Sequence, residues 1–219
     1  GVGTRDETLA VDVDYTLSQG NFNGVIYIDQ FGHILKAAFG SPSSADHVDA
    51  VGVKVHTFTP GGAQPSYTLA GKDTNESTRF AGAMLNELVI NGTTGAYANF
   101  TSSWLGRKST STANTAAVAT DLKRVLPADI TIKYASSVAG LGAAQTKPFE
   151  QFALTFNNNL DTRSTLGTTD PLFLSGVLGA SLTLNKANLD TEFKDLVFGI
   201  DKKAIQITMT NPTSIGTGT

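Results

Sequence analysis

Met84-Leu85-Asn86-Glu87-Leu88-Val89-Ile90, Asn91-Gly92-Thr93-Thr94-Gly95 and Ala96-Tyr97-Ala98-Asn99-Phe100-Thr101-Ser102-Ser103-Trp104-Leu105 follow one another without a break. Two alternating runs on either side of a Gly-containing turn predict a β-hairpin. Working outward, the period of two returns in Leu9–Leu17, in Val51–Phe58 before Pro60-Gly61-Gly62, and in the short runs Tyr67–Leu69 and Ile130–Ile132. It returns again in Val177–Leu184 and Ala204–Thr210, so strands dominate. A helical period is clear in two places. Between Phe22 and Phe39 the residues Val25, Ile28, Phe31, Ile34, Leu35 and Ala38 recur every three or four positions, with Asn21 or Asn23 as N-cap and Gly40 as stop. Leu189, Phe193, Leu196 and Val197 mark a second helix ending at Gly199. The fold class expected is mainly β (α+β), an antiparallel β-sandwich or barrel with two flanking helices.

The two ends of the chain repeat one unit. Asp14–Leu17, a helix, Ala38-Phe39-Gly40 and Val53–Pro60 correspond to Ser181–Leu184, a helix, Val197-Phe198-Gly199 and Ile205–Pro212. This strand–helix–strand repeat divides the chain into a first unit at 1–107, a basic Ser/Thr/Ala-rich connection at 108–147 and a second unit at 148–219. Within the connection a short helix is expected near Ala117–Val125, and Ile215–Thr219 should fray. A connection of this length inside a domain is usually functional or disordered.

Composition excludes several functions. The 219 residues carry 16 Lys+Arg against 19 Asp+Glu, a net of −3, and lack the cationic excess that tight phosphate binding needs. Only 16% are charged, so hydroxyls and amides must supply much of the polar surface. With no cysteine there is no disulfide framework, thiolate metal site or thiol nucleophile. No apolar run approaches the ~20 residues that span a bilayer, so membrane insertion is not expected. Gly1-Val2-Gly3-Thr4-Arg5-Asp6-Glu7 has no basic-then-apolar start, so no signal peptide is expected, and the lack of Met suits a processed or trimmed chain.

Candidates for chemistry are few. His33, His47 and His56 are the only imidazoles, and His47-Val48-Asp49 sets an acid two residues from one of them. No nucleophile elbow, zinc-protease helix or phosphate loop accompanies them. Asp12 and Asp14 share a strand face and with Asp6 and Glu7 could in principle hold a hard cation, although a solvated strand face explains them more simply. Tyr97, Phe100 and Trp104 could form a ligand platform; hairpin aromatics more often belong to a core or an interface. The Asn-x-Ser/Thr triplets at Asn75, Asn91 and Asn99 are discounted as chance in so Asn-, Ser- and Thr-rich a chain. Charge divides by segment: residues 1–60 hold three basic side chains against seven acids, and 106–147 hold six against two. Opposite signs on one chain favour head-to-tail association between copies.

Several segments in order, Ile34–Gly40, His56–Pro60, Pro65–Leu69, Phe80–Leu88, Phe152–Asn158 and Gly179–Leu184, resemble the tail tube (major tail) proteins of long-tailed, non-contractile bacteriophages. The resemblance runs through most of residues 9–212 and lies in the order of many weak motifs. It implies a virion structural protein, made in the host cytoplasm, whose β-sandwich subunits form stacked rings that conduct the genome. It implies partners: the chain itself, in hexameric rings or, where two similar domains are present, in trimeric pseudo-hexameric ones; tape-measure, tail-terminator and distal tail proteins; and phage DNA in non-specific passage. No cofactor is implied. Related chains carry more sequence ahead of the first unit, so the first sandwich is expected to be incomplete as the chain stands.

Two other readings compete. A β-sandwich binding module, such as an adhesin, a pilin-like subunit or a carbohydrate-binding domain, would use Tyr97, Phe100 and Trp104 on a sugar. An enzyme would depend on His47 and Asp49. On the tube reading, the strands carrying Asp12, Asp14, Glu87 and Glu150 line the bore, because a conduit must not grip DNA. Gly106–Lys147 then reaches the adjacent ring through Arg107, Lys108, Lys123 and Arg124. Replacing those four by Ser is expected to impair stacking or polymerisation, measured as tube length and yield in electron micrographs; unchanged tubes would count against it.

Overall fold

The computed structural model describes residues 16–72, 77–111, 123–186 and 202–212. The predicted hairpin is its centre: β5 (Ser77–Thr93) and β6 (Asn99–Gly106) pair antiparallel, with Ile90 opposite Phe100 and Leu88 opposite Ser102. β1 (Ser18–Val25) adds to the far side of β6, while β9 (Gln151–Asn157) and β12 (Gly179–Asn185) add beyond β5. The order is β1-β6-β5-β9-β12, and among the described residues the sheet is open, with no closure into a barrel. β4 (Tyr67–Lys72) and β7 (Ser109–Ser111) pair with the first half of β5 and prolong the sheet at that end.

One face of this sheet is apolar. Leu85, Leu88, Ile90, Trp104 and Phe152 are buried there beneath α1 (Ile28–Phe39) and a two-stranded layer of β8 (Ile130–Ala135) and β13 (Ala204–Met209). Phe31, Ala37, Ala38 and Phe39 of the helix join the same core, and Phe39 meets Phe156 edge-on at 4.8 Å. Smaller hairpins complete the chain: β2 (Ser43–Asp46) with β3 (Lys54–Thr57), and β10 (Asp161–Arg163) with β11 (Leu172–Leu174).

β5 does not alternate in one phase. Leu85 faces Trp104 and Glu87 faces Ser103, so Asn86 is an extra residue, a β-bulge. The buried positions shift from odd (Ala83, Leu85) to even (Leu88, Ile90, Gly92) across it. Side chains from two loops meet the carbonyl next to the bulge: Gln64 Nε2 donates to Leu85 O at 2.9 Å and Asn158 Nδ2 at 3.1 Å. The Asn158 N–H donates to Asn86 O at 2.7 Å, and the Leu160 N–H to Asn86 Oδ1 at 3.0 Å.

The first helix is shorter than its periodicity predicted. Residues 22–25 belong to β1, and the helix starts at Ile28 behind Tyr27, with neither Asn21 nor Asn23 as its cap. Pairing with β6 over the whole of β1 outweighs the three-residue spacing, since the ladder satisfies the backbone N–H and C=O groups of these residues. The first N–H of the helix donates to Lys123 O at 3.0 Å, and Gly40 ends it with φ 91°, its N–H returning to Lys36 O. Val51–Phe58 narrows to β3, whereas Met84–Ile90 lengthens to all of β5. The 106–147 segment contributes β7, β8 and two short 3-10 turns. The second helix, the first strand up to Tyr15, and most of Ala117–Val125 lie outside the described residues. Among the described residues, β1 and β12 occupy opposite edges of this sheet order.

Gly92 sits under the Phe152 ring, and a Cβ there would overlap that ring and press on Ile130 Cδ1 at 3.1 Å. Gly92→Ala is therefore expected to lower stability by about 1–3 kcal/mol. Urea unfolding should show this as a lower midpoint at unchanged slope.

Candidate functional site

The face of the five strands opposite the core follows from the register. Its rows run Asn21, Ser103, Glu87, Asn157 and then Asn23, Thr101, Val89, Thr155, Ser181. A third row runs Val25, Asn99, Asn91, Ala153, Thr183. None of these residues is buried, and none belongs to the hydrophobic core cluster. Hydroxyls and amides dominate, Glu87 is the one carboxylate in these rows, and no Lys or Arg stands in them. Such a surface offers many weak hydrogen-bonding groups and no fixed cation.

The predicted acidic residues divide. Glu87 is on this face, where Asn157 Nδ2 donates to its Oε2 at 3.4 Å. Glu150 is exposed just before β9; its N–H donates to Asn185 O at 2.9 Å and its carbonyl accepts from Thr94 at 3.0 Å. The two carboxylates therefore stand toward opposite ends of the β5–β9 pair and form no cluster. Asp12 and Asp14 lie outside the described residues, as do Asp6 and Glu7. No group of three or more metal-ligating side chains occurs among the described residues.

The four basic candidates also separate. Arg107 and Lys108 follow β6, whereas Lys123 and Arg124 run beside Tyr27 and Tyr97 at its opposite end, about 23 Å away for eight residues of strand. Arg107 spans Gly82, whose φ of 60° keeps β5 free of a side chain there, and its guanidinium meets Asp170 at 3.3 Å. Both partners are half-exposed, which limits the pair's contribution to stability. The Arg124 guanidinium lies 5.3 Å from the Tyr97 ring and 6.0 Å from that of Tyr27. A hydrogen bond to Tyr97, then the neighbouring Tyr27, raises its pKa from the ordinary arginine value, so its charge is fixed at every accessible pH. Its carbonyl accepts from Asn211 Nδ2 at 2.6 Å.

The aromatic platform does not form. Trp104 is buried on the core face with its indole N–H donated to Ser102 Oγ at 2.9 Å, and Phe100 packs on Phe31 at 5.5 Å. Tyr97 alone of the three is exposed, and it carries Arg124. The histidines are dispersed as well. His33 is on α1, while His47 and His56 are on the β2–β3 hairpin. His47 Nδ1 accepts from the Asp49 backbone N–H at 3.1 Å, so it is the backbone of Asp49 that meets this ring nitrogen. Sequence reasoning missed one pair, Ser44 Oγ and His56 Nδ1 at 2.7 Å, which only the β2–β3 register brings together. It is exposed, and the nearby Asp46 is held by Lys54.

The sequence model of one protein family, described as phage tail tube protein, matches residues 3–218. No curated protein matches the chain.

An uncovered polar face tolerates added charge, and a core face does not. Thr101→Lys with Thr155→Lys is expected to change stability by less than about 0.5 kcal/mol per site, whereas Leu88→Lys should prevent folding. Circular dichroism with urea titration distinguishes the two.

Proposed function

The chain belongs to the phage tail tube protein family, and from that membership we propose that it assembles into stacked rings whose bore is lined by the polar face of the β1-β6-β5-β9-β12 sheet. Its role is structural: it is a component of the virion tail that associates with itself and with other tail components. The finer reading is a conduit for the genome at ejection, with tape-measure, tail-terminator and distal tail proteins as partners and synthesis in the host cytoplasm. The internal repeat favours three chains per ring over six. No catalytic role is assigned to the dispersed histidines.

The observation that carries this reading is that the rows of that face are mostly hydroxyls and amides, with Val25, Val89, Ala153 and the single carboxylate of Glu87 among them, and are free of Lys and Arg. Affinity for a polyanion grows with each phosphate that a cation neutralises, by a slope of about 0.9 per contact in the salt dependence. A face with no cations contributes nothing to that slope, so DNA would slide past it. Ring closure has a physical basis in the same sheet. Among the described residues β1 and β12 are its edges, each with one row of backbone groups unpaired within the sheet, and such rows template pairing with another chain. An edge-to-edge contact between unlike strands is heterologous and closes into a ring when its rotation allows.

Negative-stain electron microscopy of the purified protein at high concentration, with sedimentation, tests this directly. Hollow rings or tubes are expected, and their rotational symmetry counts the chains. A monomer at every concentration that also binds a sugar would favour the binding-module reading.

A further inference from the structure

We infer that the tip of the β2–β3 hairpin on one copy of this chain seats in a groove at the start of α1 on the next copy. The inference rests on the self-assembly reading and names one of its contacts. Every residue of β2 and β3 is exposed, and at the tip Val48 and Val51 are 94% and 78% exposed. Side-chain hydrogen bonds and an ion pair close within the hairpin: Ser44 with His56, His47 with the Asp49 N–H, and Lys54 with Asp46. A two-stranded hairpin alone is marginal in water, and this one presents bare valines at its end.

The groove is the apolar recess between β1 and α1, about 620 Å³ in volume and lined by Val25, Tyr27, Phe31, Ile34 and Phe100, with Gln30 beside them. Charge complements it. Arg124 stands exposed against Tyr27 at the groove, and Asp49 at the hairpin tip has no ion-pair partner among the described residues. Position then fixes the partner as a second copy. The groove opens at the first turns of α1, and the hairpin leaves the other end of that helix through Gly40, Ser41 and Pro42. Twelve residues separate the two by about 18 Å. Knob and hole at opposite ends of one helix make a head-to-tail contact, which propagates from copy to copy. The β10–β11 hairpin, with Leu166 exposed, is the other candidate knob, but it is held to its own body. Asp170 pairs with Arg107, the Thr16 N–H donates to Thr169 O at 3.0 Å, and Phe173 is buried.

The chain has no cysteine, so a pair of introduced thiols reports this contact alone. Val51→Cys combined with Gln30→Cys, concentrated and treated with a short bis-maleimide, is expected to give a ladder of covalent multimers on a denaturing gel. Each single variant should stop at dimer, and Leu166→Cys with Gln30→Cys should give no ladder. V48S/V51S should keep the monomer's circular dichroism and raise the concentration needed for assembly about tenfold. Rings or tubes in the micrographs without the ladder would overturn this contact and leave the tube reading standing. A ladder without rings or tubes would keep the contact and overturn the tube reading, and neither appearing would overturn both. A ladder from the Leu166 pair instead would give the groove to the other hairpin and overturn the inference.

Discussion

One extra residue in β5 governs the arrangement of both sheet faces. At Asn86 the ladder with β6 slips by one, and the Leu85 and Asn86 carbonyls are met by donors from elsewhere in the chain. A buried carbonyl left without a donor would cost about 1–3 kcal/mol. Gln64 and Asn158 meet this demand, and in doing so they fix distant segments. Gln64 Nε2 also reaches Ala37 O at 3.0 Å, tying the end of the helix to the bulge, and Ser175 Oγ donates to its Oε1 at 2.7 Å. Asn158 anchors the turn after β9, where Asn159 takes the left-handed φ of 47°.

The phase shift then decides what each face is made of. Without it, an uninterrupted alternation that buried Ala83 and Leu85 would also turn Glu87 and Val89 inward and Leu88 and Ile90 outward. With it, the core receives Leu85, Leu88 and Ile90 while Glu87, Val89 and Asn91 join the hydroxyls of β6, β9 and β12. The polar face is thus a product of the same residue that completes the core. A local backbone irregularity, satisfied by two amides, separates a surface suited to contact with a polyanion from one that holds the subunit together.

Much of this was legible in the sequence, and the illegible parts share a cause. The β5–β6 hairpin was plain because alternation and a Gly turn are local signals, and so was the neutral character of the surface, because composition does not depend on register. Which residues share the face was not legible. Met84–Ile90 mixes two phases, and only the tertiary partners Gln64 and Asn158 reveal the bulge between them. Phe22–Val25 continues the three- and four-residue apolar spacing of the helix that follows it, whereas its conformation is set by β6, some eighty residues away. Trp104 was a candidate for a ligand platform until register put it on the core face beside Ser102. Arg107 and Arg124 shared a basic segment in sequence, yet β6 holds them at opposite ends.

That last separation bears on how the subunit would associate. Cations clustered at one site would act as a single patch and attract any polyanion, DNA included. Split between two ends of a strand, and each engaged by its own neighbours, they act locally. Arg107 is met by Asp170, and Arg124 is fixed in direction by two tyrosine rings. Beyond about 10 Å such exposed charges are screened at ordinary ionic strength. A conduit wall has to satisfy two demands together: specific adhesion between copies and indifference toward the cargo. Apolar knobs, paired strand edges and an isolated Arg124 can supply the first without a cationic patch. On the proposed reading the cation-free sheet face supplies the second, because a wall without Lys or Arg gives phosphates nothing to neutralise.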